Sequence, residues 1–203
     1  PVVKDMTLYA QWKDSTIRGE CGDSLSWSLN EDTGVLRISG SGEMNDYHSA
    51  DGLESPWHDY AAIVKSVVIG QGVKTVGSYA CANLKNLRSV EINAELKRLG
   101  SGAFYGCTAL SDLEGIEGVR VIGGECFRGC SGLSAIGIPT GCTSVGSYAF
   151  AGTAIKSVSV PSSVVSLGEG AFSSCRKLAY AELPSGISKV SASLFSGCTA
   201  LEA

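Results

Sequence analysis

Apolar residues recur along the chain at a fixed interval from about residue 64 onward. The clearest marker is a phenylalanine inside a short phrase such as GSGAFYGC (100–107) or GGECFRGC (123–130); an earlier copy, GSYACANL (77–84), has Cys81 in its place. Successive phenylalanines are 23, 23, 22 and 23 residues apart, at Phe104, Phe127, Phe150, Phe172 and Phe195. A period in this range is typical of proteins built from stacked coils, one coil per repeat.

Each repeat has the pattern of a strand followed by two further apolar stretches. In the repeat that begins at Leu87, Val90 and Ile92 alternate with polar residues, which predicts a short strand. A second apolar stretch ends at Leu99, and Phe104 follows in a segment with helical spacing. We therefore predict an α/β fold: a right-handed leucine-rich-repeat solenoid of about six 22–23-residue repeats, with short parallel strands, short helical segments and an N-terminal β cap.

Stacking explains the phenylalanines and the glycines. No single repeat can bury its apolar side alone, so the phenylalanines of coils about 4.8 Å apart are expected to form one buried row. Gly115 occupies an apolar strand position of its repeat, which predicts a local bulge or bend. A left-handed backbone is expected at one shared position after the phenylalanine, held by Asn83, Gly106, Gly129, Gly152, Ser174 and Gly197.

The chain before the repeats divides into three segments. Residues 1–13 alternate apolar and polar residues like a terminal strand, and residues 14–19 form a polar link. Within residues 20–62, Leu25–Leu29 and Val35–Ile38 flank a turn, which predicts a β-hairpin. We interpret 20–62 as the cap that covers the first coil.

The repeats occupy residues 63–203, and no cap follows them in the sequence. We therefore expect the chain to be a fragment of a longer protein. An open last coil leaves apolar surface uncovered, so end-to-end self-association through it is also expected.

The repeat phrase resembles that of a known family. L-x-x-I-x-I-P-x-x-V-x-x-I-G-x-x-A-F-x-x-C, matched closely by residues 133–152 and 155–175, resembles the BspA-type leucine-rich repeat of bacterial surface proteins. Cys21–Trp27 resembles the segment that often precedes such repeats, and Met6–Trp12 is similar to the end of an internalin-type B-repeat. The resemblance implies an extracellular location, secreted or on the bacterial cell surface, a role in adhesion, and no catalytic residues.

Charge and hydropathy limit the kinds of partner that this chain can bind. The net charge is −4 and no run of Lys or Arg occurs, which argues against a nucleic acid or an anionic membrane as partner. No apolar stretch is long enough to span a bilayer, so membrane insertion of this segment is not expected.

The eight cysteines suggest either a disulfide framework or core thiols. Cys107, Cys130, Cys175 and Cys198 share one position of the repeat, and a buried cysteine behaves as a small apolar residue. Stacked neighbours come within disulfide distance, so bridges remain the alternative to the reduced thiols that we expect.

The sequence contains little catalytic chemistry. His48 and His58 both lie in the predicted cap, and neither belongs to a pattern that pairs a nucleophile with a base. The glycine-rich phrases follow the repeat period and lack the lysine of a phosphate-binding loop. We predict a protein that is not an enzyme, with no cofactor and no metal site.

The candidate binding surface is the exposed side of the strands. Glu91, Asp112 and Glu114 fall on adjacent coils, so a bound cation or a basic partner is one hypothesis and a solvated acidic edge the other. Tyr180 is the best single anchor candidate on this face, and the alternative is a lone exposed ring with no binding role. The outward strand positions chosen as the candidate face are Ser66, Val68, Ser89, Glu91, Asp112, Glu114, Ser157, Ser159, Tyr180 and Glu182.

The favoured function is a protein-interaction module at the cell surface that binds a protein or glycan ligand through this face. One alternative is a passive spacer within a larger surface protein. A glycan-processing β-solenoid enzyme is the other, and it would need carboxylates clustered at a cleft.

Overall fold

The computed structural model describes residues 15–48, 54–187 and 190–202. The expected B-repeat tail at 1–13 lies outside these ranges. No helix within them is long or apolar enough to cross a membrane. The elements are β1 Thr16–Gly22, β2 Leu25–Asn30, β3 Val35–Gly40, β4 Gly42–Glu43, a 3₁₀ turn His58–Tyr60, β5 Ser66–Ile69, β6 Val73–Val76, β7 Ser89–Ile92, β8 Arg98–Leu99, β9 Asp112–Glu114, β10 Val121–Ile122, β11 Ser144–Val145, β12 Ser157–Ser159, β13 Ser166–Leu167 and β14 Tyr180–Glu182.

The predicted solenoid of short parallel strands is confirmed. The strands that open the first three coils, β5, β7 and β9, pair in parallel, with Val67 opposite Val90 and Val90 opposite Leu113, and β3 pairs in parallel with β5. The second apolar stretches form their own parallel sheet in the order β13-β11-β10-β8-β6-β4. Since the residues inside each coil are apolar at both sheets, stacking buries them in one continuous core.

The first sheet ends at β9. Gly115 follows directly with a φ of +85°, and a Cβ there would collide with the Ile92 carbonyl. Where a bulge or bend was predicted, a left-handed glycine thus ends β9, because glycine adopts this conformation at such close approach without strain. The next coil has no assigned strand between residues 133 and 143, and the strand face resumes as a separate pair, β12 and β14.

The phenylalanines form the predicted row. Their ring centroids are 5.4 to 5.8 Å apart, and neighbouring ring planes differ by 3° to 17°. Phe104, Phe127, Phe150 and Phe172 are fully buried, and Phe195 is half-buried at the end of the row. Burial of each ring contributes about 1.5–3 kcal/mol to stability.

The segments that carry the phenylalanines are stacked turns, so the prediction of short helices, and with it the α/β label, was wrong in this detail. Alternate N–H groups donate to the next coil, whereas the intervening ones donate three residues back, as from Tyr105 to Gly102 at 2.9 Å. We call the inter-coil set the turn ladder. In one coil its bonds are Gly102 to Gly124, Phe104 to Cys126 and Gly106 to Arg128, at 2.8, 2.9 and 2.8 Å.

Left-handed residues create the turn ladder. The expected left-handed backbone after each phenylalanine is confirmed, with φ between +58° and +77° at Asn83, Gly106, Gly129, Gly152, Ser174 and Gly197. A second left-handed position lies two residues before Cys81 and before the first four phenylalanines, at Tyr79, Gly102, Glu125, Tyr148 and Gly170. These residues interrupt helical geometry and turn alternate N–H groups toward the neighbouring coil.

The residues before the first coil form an antiparallel unit. The predicted hairpin is present, since β2 pairs with β3 and Trp27 lies opposite Ile38. The predicted polar link at 14–19 is wrong for its last four residues, because β1 begins at Thr16 and pairs with β2. β3 continues in parallel onto β5, so this unit extends the first sheet of the solenoid.

All eight cysteines are free thiols, and seven are buried. Cys107, Cys130, Cys175 and Cys198 donate to the carbonyls of Cys81, Phe104, Phe150 and Phe172, each one coil earlier, at 3.0 to 3.1 Å. The shared cysteine position thus supplies a side-chain bond between coils. Thr153 occupies this position in its repeat and donates instead within its own coil, to Phe150, at 2.8 Å.

Candidate ligand-binding surfaces

The strand face carries two in-register rows on the first sheet. Ser66 lies opposite Ser89, which lies opposite Asp112. Val68 lies opposite Glu91, which lies opposite Glu114. The acidic members are exposed, whereas Ser66, Val68 and Ser89 are half-buried. The structure therefore brings six of the predicted face residues together.

The other four predicted residues form a second patch. Ser157 pairs with Tyr180 and Ser159 with Glu182, and the Ser159 hydroxyl donates to Glu182 Oε2 at 2.9 Å. Tyr180 is 58% exposed, which is high for a large aromatic side chain. The coil without an assigned strand separates this patch from the six-residue group.

Glu91, Asp112 and Glu114, which we call the acidic row, are not arranged as a metal site. The Glu91 Oε1 atom accepts a bond from Asn93 Nδ2 at 2.8 Å. Within residues 15–48, 54–187 and 190–202, no group of three or more histidine, cysteine or acidic side chains is placed to hold a metal ion. Arg37 lies opposite Val68, which lies opposite Glu91. This face therefore has positive charge at the β3 end and negative charge at the β9 end.

A second surface lies between the antiparallel unit and the turn side of the first coils. It is a groove of about 370 Å³, which we call the cap–coil groove, and sequence reasoning missed it. Its walls include Tyr79, Tyr105, Glu125, His48 and His58. The missed signal was the position that Tyr79 and Glu125 share in their repeats, where Gly102 and Gly170 stand in other repeats.

Tyr79 lies flat on the coil because the next coil has a glycine beneath it. Its φ is +53°, and a Cβ on Gly102 would collide with the Tyr79 ring. Tyr148 and Gly170 repeat this arrangement three coils later. The Arg128 guanidinium lies over the Tyr148 ring, 5.4 Å from its centroid.

Polar groups surround the Tyr79 ring. Glu125 Oε1 accepts from Arg128 Nη1 at 2.9 Å, which holds the carboxylate in place. Burial, and then the nearby Glu125 carboxylate, raise the pKa of the Tyr79 hydroxyl, so it remains a neutral donor. The His48 ring lies 6.1 Å from the Tyr79 ring, and His58 Nε2 lies 3.0 Å from Glu54 Oε2.

The antiparallel unit supplies donors to the first rung of the turn ladder. The Tyr47 N–H donates to the Ser78 carbonyl at 2.9 Å, and the Trp57 indole donates to the Ala80 carbonyl at 2.8 Å. Asp46 Oδ1 accepts from the Ser78 N–H at 2.6 Å, and this bond lowers the pKa of the Asp46 carboxyl. The third carbonyl, of Ala82, has no donor among the described residues, and Ala82 is one of the residues that line the cap–coil groove.

Comparison with known families identifies the repeats. The family described as BspA type leucine rich repeat region matches six copies, over residues 59–179 and 110–203. The chain belongs to the BspA-type leucine-rich repeat family. This membership accounts for the period, the phenylalanine row and the parallel strands, and it makes the chain a repeat protein of a kind that serves as a protein-interaction scaffold.

Three crystal structures of leucine-rich repeat proteins resemble this BspA-type chain. The protein from Eubacterium ventriosum is 24% identical with a TM-score of 0.71, and that from Bacteroides ovatus is 24% identical with a TM-score of 0.66. The match covers 84% and 88% of this chain but 45% of each of those proteins, so the chain spans less than half their length. The T. pallidum protein is 27% identical with a TM-score of 0.66, over 90% of this chain and 80% of its own. No curated protein sequence matches significantly.

Proposed function

We propose that this chain is a non-catalytic, extracellular segment of a bacterial surface protein that binds a partner protein through its strand face. The main support is the in-register row of Val68, Glu91 and Glu114, with Asp112 beside it. The strands fix the spacing of these carboxylates, so little side-chain order has to be gained on binding. The extracellular location and the adhesive role rest on what BspA-type repeats imply.

The charge pattern indicates the chemistry of the partner. Like charges on adjacent strands repel each other, and a basic surface relieves that repulsion when it binds. Tyr180 on the second patch is an amphipathic ring suited to anchor an interface. A partner with clustered Lys or Arg, and with an apolar pocket placed three coils further along for Tyr180, fits both patches.

The experiment measures binding to a panel of purified extracellular-matrix proteins by biolayer interferometry. The test variants are E91K/E114K and Tyr180→Ala. The matched control is E31K/E117K, which reverses two exposed charges away from the face. We expect the test variants to weaken binding at least about tenfold, equivalent to about 1.4 kcal/mol, and the control to change it little.

The spacer and the enzyme predict different results. A passive spacer shows no binding, or binding that neither Tyr180 nor the acidic row affects. A glycan-processing enzyme releases products from polysaccharides, and that release stops when Glu91 and Glu114 are replaced by glutamine.

A further inference from the structure

We propose that the cap–coil groove is a saccharide-binding site that takes a neutral pyranose ring against Tyr79. This site is on the turn side of the coils and does not depend on the strand face. Its volume of about 370 Å³ lies within the range of small-molecule sites.

The platform is the Tyr79 ring. Gly102 supports one side of the ring, so the ring is held flat by backbone and does not need to be ordered by a ligand. The equivalent ring of Tyr148 is covered by the Arg128 guanidinium, which shows that the outward side of this arrangement accepts a partner. In the part of the chain that the structure describes, no Arg or Lys lies over Tyr79, and the His48 ring stands beside it, tilted by 54° with centroids 6.1 Å apart, as a wall of the groove. The apolar C–H side of a pyranose is a group of suitable shape and polarity for that position.

The rim supplies both acceptors and donors. The Ala82 carbonyl and the Glu125 carboxylate accept hydrogen bonds, and the neutral Tyr79 hydroxyl donates. Glu125 is oriented by Arg128, and His58 by Glu54 at 3.0 Å. Sugar hydroxyls both donate and accept, so a pyranose complements this mixed rim better than a hydrocarbon does.

The charges favour a neutral sugar. Glu54 and Glu125 both line the groove, and a carboxylated or sulfated sugar would be repelled by them. The nearby cation, Arg128, already pairs with Glu125 at 2.9 Å. The groove is therefore not arranged for an anionic ligand.

The test is saturation-transfer difference NMR of the full chain with neutral oligosaccharides of glucose, galactose and N-acetylglucosamine. The test variants are Tyr79→Asn and Glu125→Gln. Asparagine tolerates the left-handed backbone at position 79, so the ring is removed without strain. Tyr148→Asn is the matched control, because it removes the equivalent ring from the same conformation outside the groove. Arg128 packs on Tyr148 and pairs with Glu125, so any effect passed on through Arg128 is measured separately by Glu125→Gln.

We expect at least one oligosaccharide to bind with a millimolar or tighter Kd, and Tyr79→Asn to weaken it at least about tenfold while Tyr148→Asn does not. Thermal melts verify that both variants are folded. The proposal is overturned if no sugar of the panel binds, or if Tyr79→Asn and Tyr148→Asn have equal effects. Binding that survives both Tyr79→Asn and Glu125→Gln places the sugar elsewhere and overturns it too. The strand-face variant E91K/E114K is expected to bind the sugar normally, so failure of one proposal is distinguishable from failure of the other.

Discussion

Trp57 donates its indole N–H to the backbone carbonyl of Ala80 at 2.8 Å. Ala80 lies in the first coil, and without Trp57 its buried carbonyl would have no donor. Trp57 is fully buried and packs edge-on against Trp27, with ring centroids 5.8 Å apart. The tryptophan thus joins the antiparallel unit to the turn ladder by one directed bond and by apolar contact.

Trp57→Phe tests this bond. The ring is retained in part, but the Ala80 carbonyl loses its donor, which costs about 1–3 kcal/mol of the free energy of unfolding. Trp27→Phe is the control, since the Trp27 indole N–H is buried and has no hydrogen-bond partner in the described ranges. Urea denaturation of both variants is the measurement, and equal losses would contradict the role assigned to Trp57.

Position along the phenylalanine row determines what each ring contributes. Phe127 stacks between two rings and is fully buried, so Phe127→Ala is expected to cost about 3–5 kcal/mol. Phe195 is half-buried and stacks on Phe172 at the end of the described row, so Phe195→Ala is expected to cost clearly less. Denaturation midpoints that are the same for the two variants would show that the row does not stabilise the protein as a stack.

Gly102→Ala is expected to destabilise the protein by about 1–3 kcal/mol. An L-residue at a φ of +60° is strained, and its Cβ would displace the Tyr79 ring. Gly137→Ala is the comparison, because a Cβ there meets nothing within 4 Å. That variant is expected to be neutral or slightly stabilised, by at most about 1 kcal/mol, when melting temperatures are compared.

The buried thiols make stability fall at alkaline pH. Burial raises the pKa of Cys81 and of Cys130 from 9.0 to about 12, and that of Cys21 to about 11. Between pH 9 and the raised pKa of each thiol, the unfolded chain loses protons that the folded chain keeps. The free energy of unfolding therefore decreases as the pH rises through this range. Below pH 9 the thiols contribute no pH dependence, since they are protonated in both states.

Urea denaturation at neutral pH and at two alkaline values measures this slope. Cys130→Ala is expected to be less stable at neutral pH but to lose stability less steeply above pH 9, because one thiol no longer ionises in the unfolded chain. An unchanged slope in this variant would mean that other groups cause the alkaline loss.

The periodic core was predictable from sequence, because apolar side chains at fixed spacing have to be buried by neighbouring copies. The phenylalanine row follows from that reasoning, and the break in the same pattern at Gly115 marks where β9 ends. The glycines two residues after Phe104, Phe127, Phe150 and Phe195 also predicted a left-handed backbone, since Gly adopts it without strain.

The turn ladder was not predictable in the same way. Three-residue spacing within a turn is also typical of a helix, and the left-handed residues two positions before Cys81 and the first four phenylalanines are needed to exclude one. Tyr79, Glu125 and Tyr148 hold that position and do not indicate a left-handed backbone, although Gly102 and Gly170 in the same position do. The cap–coil groove was missed for the same reason, because those side chains were assigned to helices and not to a binding surface.

Every bond of the turn ladder runs from one coil to the coil that follows it. The stack is consequently polar along its axis: its first coil offers acceptors, which Tyr47 and Trp57 meet, and its later coils offer donors. An additional coil of the same type inserted mid-stack would accept from one neighbour and donate to the other. The number of coils, and so the reach of the protein, can therefore vary by whole units while the chemistry at either terminus of the stack stays the same.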